Sequence, residues 1–308
     1  MSKSGAASPS RRSCSRSIAR NVITSILCVI LIVFQIFFPY FYYSSSPRGN
    51  PASQFTVGVH YVYDQDQLGQ IYGEVSRIHS LGFKVIRTYL QCDPSNPDAY
   101  VNQQTDEFFN ATEAFGVPVA LAILNHETVS RLQYYLERWG SHLAYVQILN
   151  EPELSQSWDV GALFTDDEIF SYFQTFYNAV KRYNLPVQLY TNFEPGFILR
   201  TNVPIQLSKS LDFVGLDVYM QSLLLLSPNF IQWLQKLTGK EVVITEFGMS
   251  TSDDAAQSAY IIQGLNLFRS LGLRGCWLAY WNAAGTGYGI RGRLAEARVG
   301  DWIARNAV

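Results

Sequence analysis

The chain has 308 residues, of which 48% are hydrophobic and 16% are charged, and its formal net charge is −2 at pH 7. This length allows one large domain with a substantial core. Such a balanced charge argues against nucleic acid or an acidic polymer as a binding partner.

The first part of the chain has the pattern of a membrane anchor. Residues 1–21 are rich in serine and arginine and contain no acidic residue, which is typical of a disordered tail. Residues 22–43 carry no charge and end in an aromatic cluster, Phe37–Tyr43. A helix over residues 22–43 would be roughly 33 Å long, close to the ~30 Å hydrocarbon core of a bilayer, and aromatic residues suit the interface. The sequence therefore predicts one transmembrane helix.

The charges around this segment predict its orientation. Several basic residues precede it, and only Arg48 lies close behind it. Because cytosolic flanks carry the excess of Lys and Arg, we expect a cytosolic N-terminus and an exported remainder on a single-pass signal anchor. A cleaved signal peptide, which would give a secreted protein, is the alternative, and a buried helix is a third reading. Residues 44–53, rich in Ser, Pro and Gly, predict a tether.

Cysteine and histidine give no sign of a disulfide framework or a metal site. Of the four cysteines, only Cys92 and Cys276 fall in the part predicted to be exported, and both lie near predicted strands, which favours buried thiols over a bridge. None of the four histidines pairs with another at ligand spacing. The sequence predicts neither a metal nor a cofactor.

From Phe55 onward, short apolar runs alternate with amphipathic stretches of helical length. The predicted strands are Phe55–Tyr63, Phe83–Leu90, Pro118–Leu124, Leu143–Leu149, Val187–Phe193, Leu211–Tyr219, Glu241–Thr245 and Leu273–Tyr280. The predicted helices are Leu68–Leu81, Tyr100–Phe115, Thr128–Trp139, Asp166–Tyr183, Asn229–Leu237, Asp253–Leu271 and Arg293–Ala307. Only the stretch Glu194–Ser210 is weakly helical.

Eight strand–helix alternations predict an α/β fold, a (β/α)8 TIM barrel over residues 54–308. An open doubly wound sheet is the competing architecture. It has no support, because neither a Gly-x-Gly-x-x-Gly motif nor a P-loop follows any predicted strand.

Two glutamates stand at the ends of predicted strands. Glu151 follows the fourth strand in Leu149-Asn150-Glu151-Pro152, and Glu246 closes the seventh in Ile244-Thr245-Glu246-Phe247-Gly248. A buried carboxylate is costly unless it is paired or used. Because the active site of such a barrel lies at the carboxyl ends of its strands, we expect the two carboxylates to meet at one mouth.

Polar and aromatic residues also close the other predicted strands. They are His60, Tyr61 and Tyr63 on the first strand, Arg87 and Tyr89 on the second, Asn125 and His126 on the third, Asn192, Phe193 and Glu194 on the fifth, Asp217 and Tyr219 on the sixth, and Trp281 and Asn282 on the eighth. Stability alone would not place all of them at the same end.

These motifs resemble those of clan A glycoside hydrolases, the group that contains glycoside hydrolase family 5. Asn150-Glu151-Pro152 and Thr245-Glu246-Phe247-Gly248 carry the resemblance, which covers about residues 52–308. Further matching positions are Arg87, Tyr219, Trp281 and His126. One departure is clear: where the family has His-x-Tyr on the sixth strand, this chain has Asp217-Val218-Tyr219.

The resemblance implies a retaining mechanism with two carboxyl groups. Glu151 would be the acid/base and Glu246 the nucleophile, with Arg87 favouring the ionised form of Glu246. Asn150 would hydrogen-bond the sugar 2-hydroxyl, and Tyr219 could donate to Glu246.

Four further residues have less specific predicted roles. The resemblance implies that Trp281 offers a flat apolar surface for a sugar ring. His126 is either a site residue or the start of a helix, and Asp217 is either a substrate ligand or a hydrogen-bonding group of the core. Trp158, in the loop after the fourth strand, would stack on sugars or fill the barrel mouth.

The leading hypothesis is therefore a retaining glycoside hydrolase that cleaves β-linked oligo- or polysaccharides. A non-catalytic glycan-binding barrel belongs to a different class of function, and a transglycosylase would use the same residues. The sequence identifies neither the sugar nor the oligomeric state.

Overall fold

The computed structural model describes residues 55–152, 165–220, 222–282 and 286–306. The predicted tail (1–21), transmembrane helix (22–43) and tether (44–53) lie outside these ranges, and so does Trp158. Within the described ranges, no helix combines the length and the apolar character needed to cross a membrane.

Eight parallel strands form the centre of the described domain, at the predicted places. Their bounds are β1 Thr56–His60, β2 Val85–Tyr89, β3 Val119–Ile123, β4 Leu143–Ile148, β5 in two segments (Gln188–Tyr190 and Asn192–Phe193), β6 Phe213–Val218, β7 Glu241–Phe247 and β8 Gly275–Leu278. Neighbours along the chain pair in parallel, and β1 also pairs with β8.

The fifth strand closes the barrel. Its first segment pairs with β4 and its second with β6, with Thr191 between them. The backbone continues the pairing across this gap, because the Gly215 amide donates to the Thr191 carbonyl at 2.9 Å. The predicted α/β barrel is confirmed, and the competing open sheet is excluded.

Helices connect the strands and cover the outside of the barrel. They are α1 Ile71–Ser80, α2 Tyr100–Phe115, α3 Val129–Trp139, α4 Asp166–Arg182, α5 Pro195–Ile198, α6 Val203–Ser208, α7 Pro228–Thr238, α8 Asp254–Ser270 and α9 Leu294–Asn306. The weakly helical stretch after β5 folds as the two short helices α5 and α6.

Local sequence explains where these helices begin and end. Thr165 and Glu168 form a capping box at the start of α4, and Ser227 caps α7 just before Pro228. Gly116 ends α2 with φ 63°, a left-handed conformation that glycine adopts without a Cβ penalty.

The barrel interior near the amino ends of the strands is apolar. The cluster consists of Val85, Ala120, Tyr190, Phe213, Val243 and Trp277. The ring of Tyr190 stacks on Phe213 at 4.7 Å and meets Trp277 edge-on at 5.3 Å. A Cβ on Gly58 would lie 2.6 Å from the Trp277 ring, so glycine is needed there for the indole to fit. This end of the barrel is a packed floor.

Candidate active site

Three carboxyl groups converge at the carboxyl ends of the strands. One oxygen each from Glu151, Asp217 and Glu246 lies within 4.8 Å of the other two. All three side chains are buried. The structure thus brings the two predicted glutamates to one end of the barrel and adds a third acid.

A bulge in β7 directs Glu246 inward. Leu216 of β6 pairs with Ile244, but the next residue, Asp217, pairs with Glu246, so Thr245 is extra. In a regular strand Glu246 would point away from the interior, because successive side chains alternate. The bulge breaks this alternation, and Phe247 then points outward, where its ring stacks on Tyr260 at 4.9 Å.

Arg87 of β2 lies beside Glu246 and is fully buried. Its Nη2 is 2.8 Å from Glu246 Oε1 and donates to Asn150 Oδ1 at 2.7 Å. Its Nε donates to Gln147 Oε1 at 2.9 Å. A guanidinium group has donors only, so it fixes the orientation of both amide side chains.

Burial and the charge of Arg87 together set the protonation state of His60. Burial acts to lower the pKa of Arg87, but Glu246 and neighbouring groups raise it well above its ordinary value overall. Burial and the adjacent Arg87 lower the pKa of His60 well below its usual value. His60 is therefore a neutral imidazole, and its Nδ1 accepts from Arg87 Nη1 at 3.2 Å.

Asp217 is a hydrogen-bonded group of the core. Its Oδ1 accepts from Thr245 Oγ1 at 2.9 Å, and its Oδ2 accepts from Asn192 Nδ2. Burial, followed by the nearby Glu246 and Glu151, raises the pKa of Asp217 well above its ordinary value. Burial therefore favours the protonated form of this carboxyl group more than it would in a free aspartate. Of its two predicted roles, full burial favours the core hydrogen-bonder over the substrate ligand.

Tyr219 contacts the same carboxylate as Arg87. Its hydroxyl donates to Glu246 Oε2 at 2.5 Å, the contact that the resemblance implied. Burial and the charge of Glu246 raise the pKa of Tyr219 well above its ordinary value. The phenol therefore keeps its proton and supports an ionised Glu246.

The backbone around Glu151 is strained. Leu149 and Glu151 have φ values of 69° and 40°, which are unusual for residues other than glycine and cost about 1–3 kcal/mol each. Side-chain amides hold this segment. The Asn150 amide donates to Asn125 Oδ1 at 3.0 Å, Asn125 Nδ2 returns a bond to the Asn150 carbonyl at 2.7 Å, and Asn192 Oδ1 accepts from the Glu151 amide at 3.1 Å.

Aromatic side chains line one side of the carboxyl group cluster. The Tyr280 ring stacks on His60 at 4.9 Å, and its hydroxyl lies 3.2 Å from that of Tyr89. Burial and the charge of Glu246 raise the pKa of Tyr280 to about 12. The half-buried Tyr288 lies edge-on to Tyr219 at 5.7 Å. These rings offer flat surfaces next to the carboxylates.

The prediction that Trp281 offers a surface to a sugar ring is wrong. Its side chain is fully buried, its Nε1 donates to Glu74 Oε2 at 2.8 Å, and its ring lies against Phe83 at 6.3 Å. Because β8 ends at Leu278 and strict alternation ends with it, Tyr280 faces the mouth and Trp281 faces the helices. Trp281 cannot offer a surface to a sugar ring.

His126 is an exposed residue in the loop before α3, with Nε2 3.9 Å from Glu127 Oε1. Its neighbour Asn125 makes the bonds to Asn150 instead. The helix-start reading of His126 fits better, because the N-cap of α3 is Thr128, two residues on.

Sequence reasoning gave no role to Gln147, Asn192 or Tyr280. The first two are buried amides that link neighbouring strands: Gln147 Nε2 donates to Asn192 Oδ1 at 2.7 Å and to Asn150 Oδ1 at 2.9 Å. A polar residue inside an apolar strand, as Gln147 is in Leu143–Ile148, was the signal in the sequence that could have identified it.

Among the described residues, Glu151, Asp217 and Glu246 could supply oxygen ligands to a metal ion. The contacts of these carboxyl groups with other side chains favour a site without a metal ion. Arg87 already lies against Glu246, and both oxygens of Asp217 accept hydrogen bonds. The guanidinium group thus already supplies a positive charge to Glu246.

Neither a family model nor a curated protein sequence matches the chain. Solved structures do match its fold. The β-glycosidase BGL167 is 14% identical, with 84% of this chain and 98% of that chain covered and a TM-score of 0.62. The endo-1,4-β-mannanase from Rhizomucor miehei is 14% identical, with 85% and 99% covered and a TM-score of 0.62.

A GH10 endoxylanase from a sugarcane soil metagenome is 11% identical, with 82% of this chain and 97% of that chain covered and a TM-score of 0.59. This chain shares the barrel fold of these enzymes. At such low identity the likeness concerns the fold alone, and the chemistry depends on the residues of the site.

Proposed function

We propose that the protein is a retaining glycoside hydrolase that cleaves β-linked glycans. The observation that carries this proposal is the separation of Glu151 and Glu246, whose nearest carboxylate oxygens lie within 4.8 Å of each other beside Arg87. Retaining enzymes hold their two carboxyl groups about 5–5.5 Å apart, whereas inverting enzymes leave roughly 6.5–9.5 Å for a water molecule. The short separation supports a covalent intermediate.

In the first step Glu246 attacks the anomeric carbon while Glu151 protonates the departing glycosidic oxygen. The old C–O bond breaks and a glycosyl ester forms on Glu246. Arg87 and Tyr219 favour the ionised nucleophile, since both donate toward its carboxylate. In the second step Glu151 takes a proton from water, the water oxygen attacks the anomeric carbon, and Glu246 is released.

The neighbouring side chains suit a sugar. Asn150 Oδ1 accepts from Arg87, so its Nδ2 group is the part that could donate to a substrate hydroxyl. The ring of Tyr280 provides a flat surface next to the carboxylates. The β-glycosidase, the β-mannanase and the endoxylanase that share the fold favour a β-linked glycan as substrate.

The test replaces each glutamate separately. Glu246→Ala and Glu151→Ala should each lower the hydrolysis of aryl β-glycosides by at least about 10³-fold. Azide should restore turnover of Glu246→Ala and give a glycosyl azide of inverted configuration. Glu137→Ala, at an exposed position on α3, is the matched control and should leave the rate unchanged.

Two results would contradict the proposal. Hydrolysis that survives Glu246→Ala would remove the nucleophile from the mechanism. Measurable affinity for glycans without cleavage of any member of a broad panel would favour the glycan-binding alternative, and transfer of the glycosyl group to added sugar in preference to water would favour a transglycosylase.

The N-terminal segment supports a further proposal, on location. We propose that residues 22–43 anchor the protein in a membrane, with residues 1–21 in the cytosol and the barrel on the opposite side, because the apolar run is uncharged and follows a basic tail. Protease protection of an N-terminal tag together with digestion of the barrel in intact cells would support this topology. Release of the full barrel into the medium would indicate a cleaved signal peptide.

A further inference from the structure

Asn192 on β5 makes four hydrogen bonds through its side-chain amide, and it is fully buried. Its Oδ1 accepts from the Glu151 backbone amide at 3.1 Å and from Gln147 Nε2 at 2.7 Å. Its Nδ2 donates to Asn150 Oδ1 at 3.1 Å and to Asp217 Oδ2. A carboxamide has two N–H donors and two lone pairs on oxygen, and here all four are used.

The direction of each hydrogen bond follows from groups that can only donate, namely the Glu151 backbone amide and the Arg87 guanidinium group. The backbone amide of Glu151 must donate, so Asn192 Oδ1 faces β4. Arg87 must donate, so the oxygens of Gln147 and Asn150 face the guanidinium group. Asn192 Nδ2 therefore faces two acceptors, Asn150 Oδ1 and Asp217 Oδ2. A carboxylate of the same shape at position 192 would set acceptor against acceptor.

We infer that Asn192 is a positioning residue that holds the strained backbone of Glu151 and the Asp217 carboxyl group in a fixed relation, and so keeps Glu151 directed at Glu246. This inference rests on the proposed function, in which Glu151 is the acid/base. It assigns to Asn192 no contact with substrate.

Strain at Glu151 explains why such a residue is needed. A positive φ at a non-glycine residue persists only where the surroundings hold it. Asn192 holds this segment at two points, the Glu151 amide and the Asn150 side chain. Loss of both bonds would let the backbone relax and rotate the Glu151 carboxyl group away from its partner.

Asp217 links this network to the nucleophile. Its carboxyl group lies within 4.8 Å of both glutamates, and an ionised Asp217 would repel them. The donors from Asn192 and Thr245 each bind one of its two oxygens and so fix its position, while burial raises its pKa. Asn192 therefore also decides where this third acid sits relative to Glu151.

The test compares Asn192→Asp with Asn178→Asp, the same chemical change at an exposed position on α4. We expect Asn192→Asp to lower kcat by about 100-fold, the effect of a displacement of about 1 Å, with a smaller change in KM. The loss should be greater for glycosides with poor leaving groups, because these depend most on protonation by Glu151. Asn178→Asp should match the wild type.

A double variant tests the direction of the bonds. In Asn192→Asp/Asp217→Asn the donor and acceptor are exchanged: the new amide at 217 donates to 192, and a protonated acid at 192 donates to Asn150. We expect at least a tenfold recovery of kcat relative to Asn192→Asp alone, and a return of the pH–rate profile toward that of the wild type. Additive losses would overturn the inference.

Failure of this inference is distinguishable from failure of the proposed function. An active wild type with an Asn192→Asp variant of normal kcat, leaving-group dependence and pH profile would overturn the inference alone. If Asn192→Asp does not fold, the smaller Asn192→Ser takes its place. If the wild type has no activity, a crystal structure of Asn192→Ser decides: we expect φ of Glu151 to leave the left-handed region, and an unchanged Glu151 would overturn the inference.

Discussion

The two ends of the barrel interior are both buried, but they are filled in different ways. Near the amino ends, aromatic rings such as Trp277 and Tyr190 pack against each other. Near the carboxyl ends, charged and amide side chains fill the same kind of space with hydrogen bonds. Glycine makes room in both: Gly58 for Trp277, and Gly215 for Thr245, whose Oγ1 would lie 2.6 Å from a Cβ at position 215.

The difference lies in how much each end tolerates change. Apolar packing is not directional, so a ring of similar size can replace another at modest cost. At the carboxyl end, called the upper end, the hydrogen bonds between Arg87 and the amide side chains each have a fixed donor and acceptor. Removing one partner leaves another buried polar group unsatisfied. A substitution at the upper end should therefore affect both stability and activity, whereas one at the amino end, the lower end, should affect stability alone.

The largest expected effect is that of Arg87→Leu. It should abolish activity and lower the free energy of unfolding by about 3–5 kcal/mol, because Glu246 would be left as an uncompensated buried charge. Arg138→Leu, which breaks the exposed ion pair with Asp106, should cost at most about 1 kcal/mol. Urea unfolding and rate measurements on the same samples check both. A stable, inactive Arg87→Leu protein would show that the upper end does not link the two properties.

Trp277→Ala should lower stability as much as Arg87→Leu does, but it should leave activity unchanged. Removing the indole leaves a cavity in the floor of the barrel and should lower the free energy of unfolding by about 3–5 kcal/mol. The value of kcat/KM per folded molecule should stay near that of the wild type, since Trp277 belongs to the apolar cluster and, within the described part of the chain, makes no hydrogen bond to the carboxyl groups. A fall in kcat that parallels the loss of stability would contradict the separation of the two ends.

The apolar periodicity of the sequence was sufficient to predict the barrel, because strands buried on both faces read as short apolar runs. It failed where the backbone departs from regular alternation. The seventh strand was predicted to end at Thr245, since Glu246 interrupts the apolar run, but the bulge carries β7 on to Phe247. The resemblance placed Trp281 at the mouth, and nothing in the sequence marks where β8 loses its phase.

The site was predictable only in part. Glu151 and Glu246 stand at strand ends within recognisable motifs, and Arg87 matches a further position of the same resemblance, so their convergence followed from the fold. Asn192 was noted at the end of the fifth strand, but its role was missed because it depends on partners far away in sequence, such as Asp217 and Gln147, and on the direction of each hydrogen bond. Such relations exist only in the folded barrel.

A pH-dependent effect on stability should come from Asp217. Its pKa is raised on folding, so above its unfolded pKa, near 3.8, the folded protein binds more protons than the unfolded chain. The free energy of unfolding therefore loses up to about 1.4 kcal/mol per pH unit as the pH rises toward the folded pKa. Asp217→Asn removes this slope. Urea unfolding of both proteins from pH 4 to 8 measures it, and parallel curves would mean that Asp217 is ionised in the folded protein.

The smallest effects are expected from Tyr280 and Trp281, which follow β8 and whose side chains the structure places differently from the prediction. Tyr280→Leu removes the ring that faces the carboxylates, and we expect KM to rise roughly 2- to 10-fold, the equivalent of about 0.5–1.5 kcal/mol of ring contact. Trp281→Phe loses the bond to Glu74 and should cost about 1–3 kcal/mol of stability with KM unchanged. If Trp281→Phe raised KM and Tyr280→Leu did not, the ring that meets the sugar would be the indole, and the chain would have to leave β8 in the opposite phase.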